Sequence, residues 1–151
     1  MGYDYSRISK IKCFLFDMDG TIYEDEYLFE GTKPLLETIV AKGARYIFIT
    51  NNSSRSVLDY VAKLKRLGIE TDKDHFFTSS QATILLLKEK YPNVKVYCQG
   101  TRSLIKELEE AGIDVTEEAS DDVGLVLTGF DTELNFTKLT NTCFLLGRDL
   151  L

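Results

Sequence analysis

Short apolar runs of strand length alternate along this chain with longer segments of helical period, and that order restricts the fold sharply. Parallel strands need a crossover, the crossover helix buries its apolar stripe on the sheet, and such crossovers are right-handed. The first strand-like run, Ile11 to Phe16, leads to a helical segment over 32–42 with Pro34 in its first turn, where proline is tolerated. A second run, Tyr46-Ile47-Phe48-Ile49, precedes Val57, Leu58, Val61, Leu64 and Leu67 at helical spacing, closed by Gly68. Phe76-Phe77-Thr78 is a third strand, followed by a helix over 82–91. The expected fold is α/β with a parallel sheet. From Tyr91-Pro92-Asn93 a second unit of the same kind begins: a strand over 94–98, a helix lined by Leu104, Ile105, Leu108 and Ala111, a strand over 123–127 and a helix over 136–146. The helical stripes are read as core packing, not as ligand sites. The acidic and aromatic stretch 22–31 reads as a flap-like excursion rather than a tight turn.

Open parallel sheets bind ligands beyond the carboxyl ends of their strands. The first strand ends there in FLFDMDGTIY, which presents Asp17 and Asp19 to one side while Met18 points back to the core. Two close carboxylates repel, and one takes up a proton unless a cation or separate roles keep them apart. A magnesium ion resolves this, being a hard cation that takes carboxylate, carbonyl and water oxygens. Gly20 allows a sharp turn with exposed amides, the sort of surface a phosphate binds. The string D-x-D-G-T arises by chance in roughly one of several hundred chains this long, so a plain surface turn is the weaker reading. The second strand ends in Thr50-Asn51-Asn52-Ser53-Ser54-Arg55. Thr50 offers a hydroxyl, Asn51 an amide, and Ser53 a helix N-cap, and such groups suit a phosphate dianion.

FLFDMDGT and ITNNSSRS resemble the first two motifs of the haloacid dehalogenase-like (HAD) superfamily of phosphohydrolases. The TNN form, FFTSSQAT and VGLVLTGFDTELNFTKL together resemble its subfamily IIA, the NagD-like or 4-nitrophenylphosphatase-like branch. The resemblance implies a Rossmann-like core with an inserted α/β cap, residues 1–90 forming the N-terminal part of the core and 91–151 part of the cap. It implies that Asp17 is the nucleophile, Asp19 the general acid and base, and Thr50, Asn51 and Asn52 the holders of the phosphoryl oxygens. Magnesium would rest on Asp17 and the main-chain carbonyl of Asp19. The family's third-motif lysine and distal acidic ligands normally follow the cap, so core and cap are both expected to be incomplete within these residues; Lys138, lying in cap-like sequence, is not given the lysine role. The implied activity is magnesium-dependent hydrolysis of small phosphomonoesters through an aspartyl-phosphate. Two alternatives stay open: a phosphotransferase or mutase on the same scaffold, and a non-catalytic fragment with an incomplete site.

Composition excludes other classes. With 44% hydrophobic and 28% charged residues the chain reads as globular, and ATILLLK is too short to span a bilayer. A net charge of −6 leaves no basic stripe for a nucleic-acid backbone. Neither nucleic acid nor membrane is an expected partner; the resemblance implies a small phosphorylated metabolite and leaves open a homo-oligomer formed through the cap. Cys13, Cys98 and Cys143 are widely spaced, without a C-x-x-C pair, and fit reduced thiols in the cytoplasm. His75, beside Phe76-Phe77, reads as structural rather than catalytic. The first residues carry no apolar signal region, and Gly2 with Ser6 matches only the loose pattern for N-terminal acylation.

Overall fold

The computed structural model describes Ile8 and residues 10–148. The acylation pattern at Gly2 and Ser6 lies outside the described residues. Two compact units emerge, one running to Thr50 and again over Val61–Phe77, the other over Asn51–Tyr60 and from Thr78 onward.

In the first unit, strand β1 (Cys13–Asp17) pairs in parallel with β4 (Arg45–Thr50), with Phe14 opposite Tyr46 and Asp17 opposite Ile49. On the other side of β4 lies β5 (Phe76–Thr78). Between β1 and β4 the chain forms helix α1 (Thr32–Ala41), entered through Gly31 at a φ of 91°, a left-handed position that glycine takes without strain. Leu36 and Ile39 are its buried apolar residues. Phe48 is fully buried and its ring meets those of Tyr46 and Phe76 at centroid distances of 5.2 and 5.5 Å. Such edge-tilted aromatic contacts add to what burial alone contributes. His75 Nδ1 sits 3.0 Å from Asp72 and its ring packs 4.8 Å from that of Tyr46, a structural placement.

Residues 22–31, read as an excursion rather than a tight turn, do contain a tight turn. Strands β2 (Tyr23–Glu24) and β3 (Tyr27–Leu28) form an antiparallel hairpin, with Glu24 opposite Tyr27. Only Asp25 and Glu26 lie between them, and Asp25 takes a positive φ of 50°. Aspartate tolerates the left-handed region, which a two-residue hairpin turn of this kind demands. The density of acidic residues hid this turn in the sequence.

Helix α2 (Val57–Arg66) begins after an N-cap at Ser56, not at Ser53 as the sequence suggested. Ser56 Oγ accepts the Asp59 amide at 3.3 Å, and the Asp59 carboxylate accepts the Ser56 amide at 2.8 Å. This reciprocal pair satisfies two otherwise orphaned donors. Ser53 instead spends its hydroxyl on the Phe130 amide, 2.8 Å away. The stripe of α2 is also rotated from the one read in the sequence: Val57, Tyr60 and Leu64 are buried, while Leu58 is exposed.

The second unit carries a parallel sheet in the order β7-β6-β8, built from β6 (Val96–Gln99), β7 (Val115–Thr116) and β8 (Leu125–Thr128). Alternation along β6 sends Val96 and Cys98 into a cluster with Ile84, Leu87, Leu104 and Leu108, and sends Tyr97 into another with Val123 and Leu145. Both faces of the strand are thus covered, as parallel sheets require. The covering helices are α3 (Ser79–Lys90), α4 (Arg102–Glu110) and α5 (Phe136–Leu146). The sequence reading starts α3 three residues late, because Thr78 and Gln81 form a capping box whose T-x-x-Q spelling it passes over. It also passes over β7, two residues long. Burial pushes the Cys98 thiol up to about 12, with Glu117 adding to the shift. We expect a maleimide to label exposed Cys143 at neutral pH in the folded protein and to leave Cys98 untouched; peptide mapping checks it.

Candidate active site

In β1, Leu15 and Asp17 are exposed while Phe14 and Phe16, whose rings stack 6.3 Å apart, face the other way. The alternation continues past the strand end. Met18 is fully buried, and Asp19 is exposed again. The two carboxylates therefore stand on the solvent side of the strand tip, as the spacing predicts. Thr50 ends β4, one register step beyond the Asp17–Ile49 pair, and is 8% exposed. Asp17, Asp19 and Thr50 are thus brought to the same carboxyl edge of the first unit's parallel pair.

The turn that follows differs from its sequence reading. Gly20 has a φ of 75°, a conformation that costs it nothing. Its amide donates to Tyr23 O at 2.8 Å, and the amides of Thr21 and Ile22 donate to Met18 O at 3.1 and 3.0 Å. These three N–H groups close the turn on itself and are not left as a phosphate cradle. Their role is to fix the backbone on either side of Asp19.

A residue missed in the sequence stands beside this turn. Lys63 of α2 is 5% exposed, its Nζ 3.9 Å from Asp19 Oδ1 and 3.8 Å from the centre of the Tyr23 ring. The signal was available: three residues after Tyr60 and one before Leu64, Lys63 falls within the buried arc of the helix.

Asn51 and Asn52 follow Thr50 in the chain but belong to the second unit. The carbonyl of Asn51 accepts the Ser79 hydroxyl at 3.0 Å. Asn52 Oδ1 accepts the Ser54 amide at 2.9 Å and its hydroxyl at 2.7 Å, while the Asn52 carbonyl accepts the Tyr60 hydroxyl at 3.1 Å. Asn51, Ser79 and Thr83 line a cavity of about 250 Å³ in that unit, with Leu127 and Phe130 among the other walls. Lys138 is engaged elsewhere: its Nζ donates to Gly100 O at 2.6 Å and pairs with buried Asp131 at 3.1 Å. That supports leaving it out of the catalytic set.

Among the described residues no group of three or more His, Cys, Asp or Glu side chains is placed to hold a metal ion. None of their helices is long and apolar enough to cross a membrane.

Parallel strands with covering helices define an α/β protein, and its first unit carries two carboxylates at a strand tip with a threonine at the end of the neighbouring strand. A model of the haloacid dehalogenase-like hydrolases matches residues 14–114, and this chain belongs to that family. It is 34% identical over 151 residues to phosphoglycolate phosphatase 1A, chloroplastic, of Arabidopsis thaliana, covering 87% of this chain and 42% of that protein. The structure of a 4-nitrophenylphosphatase from Thermotoga maritima superposes with a TM-score of 0.85 at 35% identity, covering 92% of this chain and 52% of the other. A glycerol phosphate phosphatase from Mycobacterium tuberculosis in complex with magnesium superposes with a TM-score of 0.82 at 25% identity, covering 93% and 42%. These neighbours place the chain in the NagD-like and 4-nitrophenylphosphatase-like branch, subfamily IIA. The chain spans about half the length of the curated relatives it matches.

Proposed function

We propose that the protein is a magnesium-dependent phosphatase of small phosphorylated metabolites such as sugar phosphates or nucleotides, acting through an aspartyl-phosphate on Asp17. The observation that carries this reading is the pair Asp17 and Asp19 on the solvent side of the β1 tip, with Thr50 at the matching end of β4. The names phosphoglycolate phosphatase, 4-nitrophenylphosphatase and glycerol phosphate phosphatase among the relatives support it. In this division of labour residues 1–90 supply the N-terminal part of the core and 91–151 part of the cap. The setting is cytoplasmic, which three free thiols support. Association of two copies through 91–151 completes the reading; exposed Phe136, Leu139 and Leu146 on α5 support it.

In the first step a carboxylate oxygen of Asp17 attacks phosphorus and the ester oxygen leaves. Asp19 gives that oxygen its proton. A water then attacks the phosphorus of the aspartyl-phosphate, passes a proton to Asp19 and releases inorganic phosphate, which restores Asp17. Thr50, Asn51 and Asn52 hold the phosphoryl oxygens in this reading. Magnesium needs hard oxygen donors and is commonly held by one or two carboxylates together with substrate phosphate and water. The exposed Asp17 carboxylate and the Asp19 carbonyl fit that habit. When bound, the ion offsets the repulsion between carboxylate and phosphate.

The test is phosphate release by the purified full-length protein from a panel of small phosphomonoesters. We expect EDTA to abolish release and excess magnesium to restore it. A full-length protein that releases no phosphate from any ester, with or without the ion, sinks the reading. Labelled oxygen from water in the released phosphate identifies hydrolysis rather than transfer to a sugar.

A further inference from the structure

Lys63 is a charged residue enclosed in the first unit, 5% exposed. Lysines at such places ordinarily run their stem along apolar surface and lift the ammonium into water. Here the whole side chain is 6% exposed, and the head is enclosed rather than lifted out. Two of its neighbours bear on the arrangement. The ammonium faces the Tyr23 ring, 3.8 Å from its centre, in cation–π geometry. It also lies 3.9 Å from Asp19 Oδ1, whose own side chain is 55% exposed. Both neighbours belong to one closed turn, since Gly20 donates to Tyr23 O and the backbones of Asp19 and Tyr23 are bridged. Tyr23 also opens the β2–β3 hairpin.

For stability alone this is a poor use of a buried position. An ion pair with one half-exposed partner gains little, and an apolar side chain would fill the same space without desolvating a charge. We propose that Lys63 is a positioning residue: its ammonium holds the Asp19 carboxylate in place for proton transfer and pins Tyr23, so that the acid and the base of the hairpin move as one piece. The proposal rests on the phosphatase reading, in which Asp19 serves as acid and base. Oδ1 faces the ammonium, and Oδ2 is the oxygen that exchanges the proton with the leaving group.

The test compares full-length wild type with Lys63→Met on an alkyl phosphate and on 4-nitrophenyl phosphate, read as kcat/KM. That ratio covers steps up to the first irreversible one, the transfer to Asp17, in which an alkoxide needs an acid and a nitrophenolate scarcely does. A displaced acid forfeits part of a contribution of roughly a hundredfold or more. The alkyl ester should therefore lose about ten- to a hundredfold and the nitrophenyl ester about threefold or less. The melting temperature should stay level or rise, which a structural lysine would not permit. Lys63→Gln, with a polar head in the same cleft, gives the same comparison should the Met variant not fold. Equal losses on the two esters, or none on the alkyl ester, overturn the assignment while the phosphatase reading stands. A wild type inactive on both esters overturns the two together.

Discussion

Asp17→Asn in the full-length protein is expected to remove phosphatase activity and leave the fold intact. Asparagine keeps the shape of the side chain, and position 17 is exposed at the end of β1, so no packing is lost. A change at such a site shifts stability by about half a kcal/mol or less. The chemistry fares differently. An amide is no nucleophile toward phosphorus and a poorer ligand for a hard cation, so both the covalent step and charge neutralisation suffer. Loss of a group that splits one hard step into two costs several orders of magnitude in kcat. Steady-state hydrolysis of 4-nitrophenyl phosphate, alongside thermal melting, checks the result. Turnover within tenfold of wild type would mean that another residue attacks phosphorus.

The part of this site legible in the sequence was the part that depends on strand alternation. Asp17 and Asp19 flank a buried Met18 because side chains alternate, and the rule held two residues past the strand, where the turn begins. Helix α5 was legible to the residue because Asn135 caps it and apolar residues recur at helical spacing, Phe136, Leu139, Cys143 and Leu146. Features that depend on which polar groups pair across the chain were not legible. Ser53 and Ser56 are the same residue type three positions apart. Only the Phe130 amide, far along the chain, decides that Ser53 is spent elsewhere and Ser56 makes the cap. The amides around Gly20 looked available for phosphate because their acceptors, Tyr23 O and Met18 O, come from a turn whose closure the sequence does not announce. Lys63 was passed over because a lysine among apolar residues reads as solvated, although its place on the arc of α2 argued for burial.

Asp19→Asn is expected to separate the two carboxylates by leaving group rather than by overall loss. The substitution keeps the side chain beside Lys63, and the turn around it is closed by backbone bonds that the change does not touch. What disappears is the proton donor. An alkyl phosphate expels an alkoxide, which needs protonation as the bond breaks, so its kcat/KM should fall by roughly a hundredfold or more. 4-Nitrophenyl phosphate expels a stable phenolate and should lose far less in the same ratio. Its kcat can still fall, because the later attack of water also draws on Asp19 as base. If the lysine acts through Asp19, the double variant Asp19→Asn with Lys63→Met should be little worse on the alkyl ester than Asp19→Asn alone, since a residue that positions an absent acid has nothing left to position. Additive losses would separate the lysine from the acid, and equal losses of Asp19→Asn on the two esters would take the acid role from Asp19.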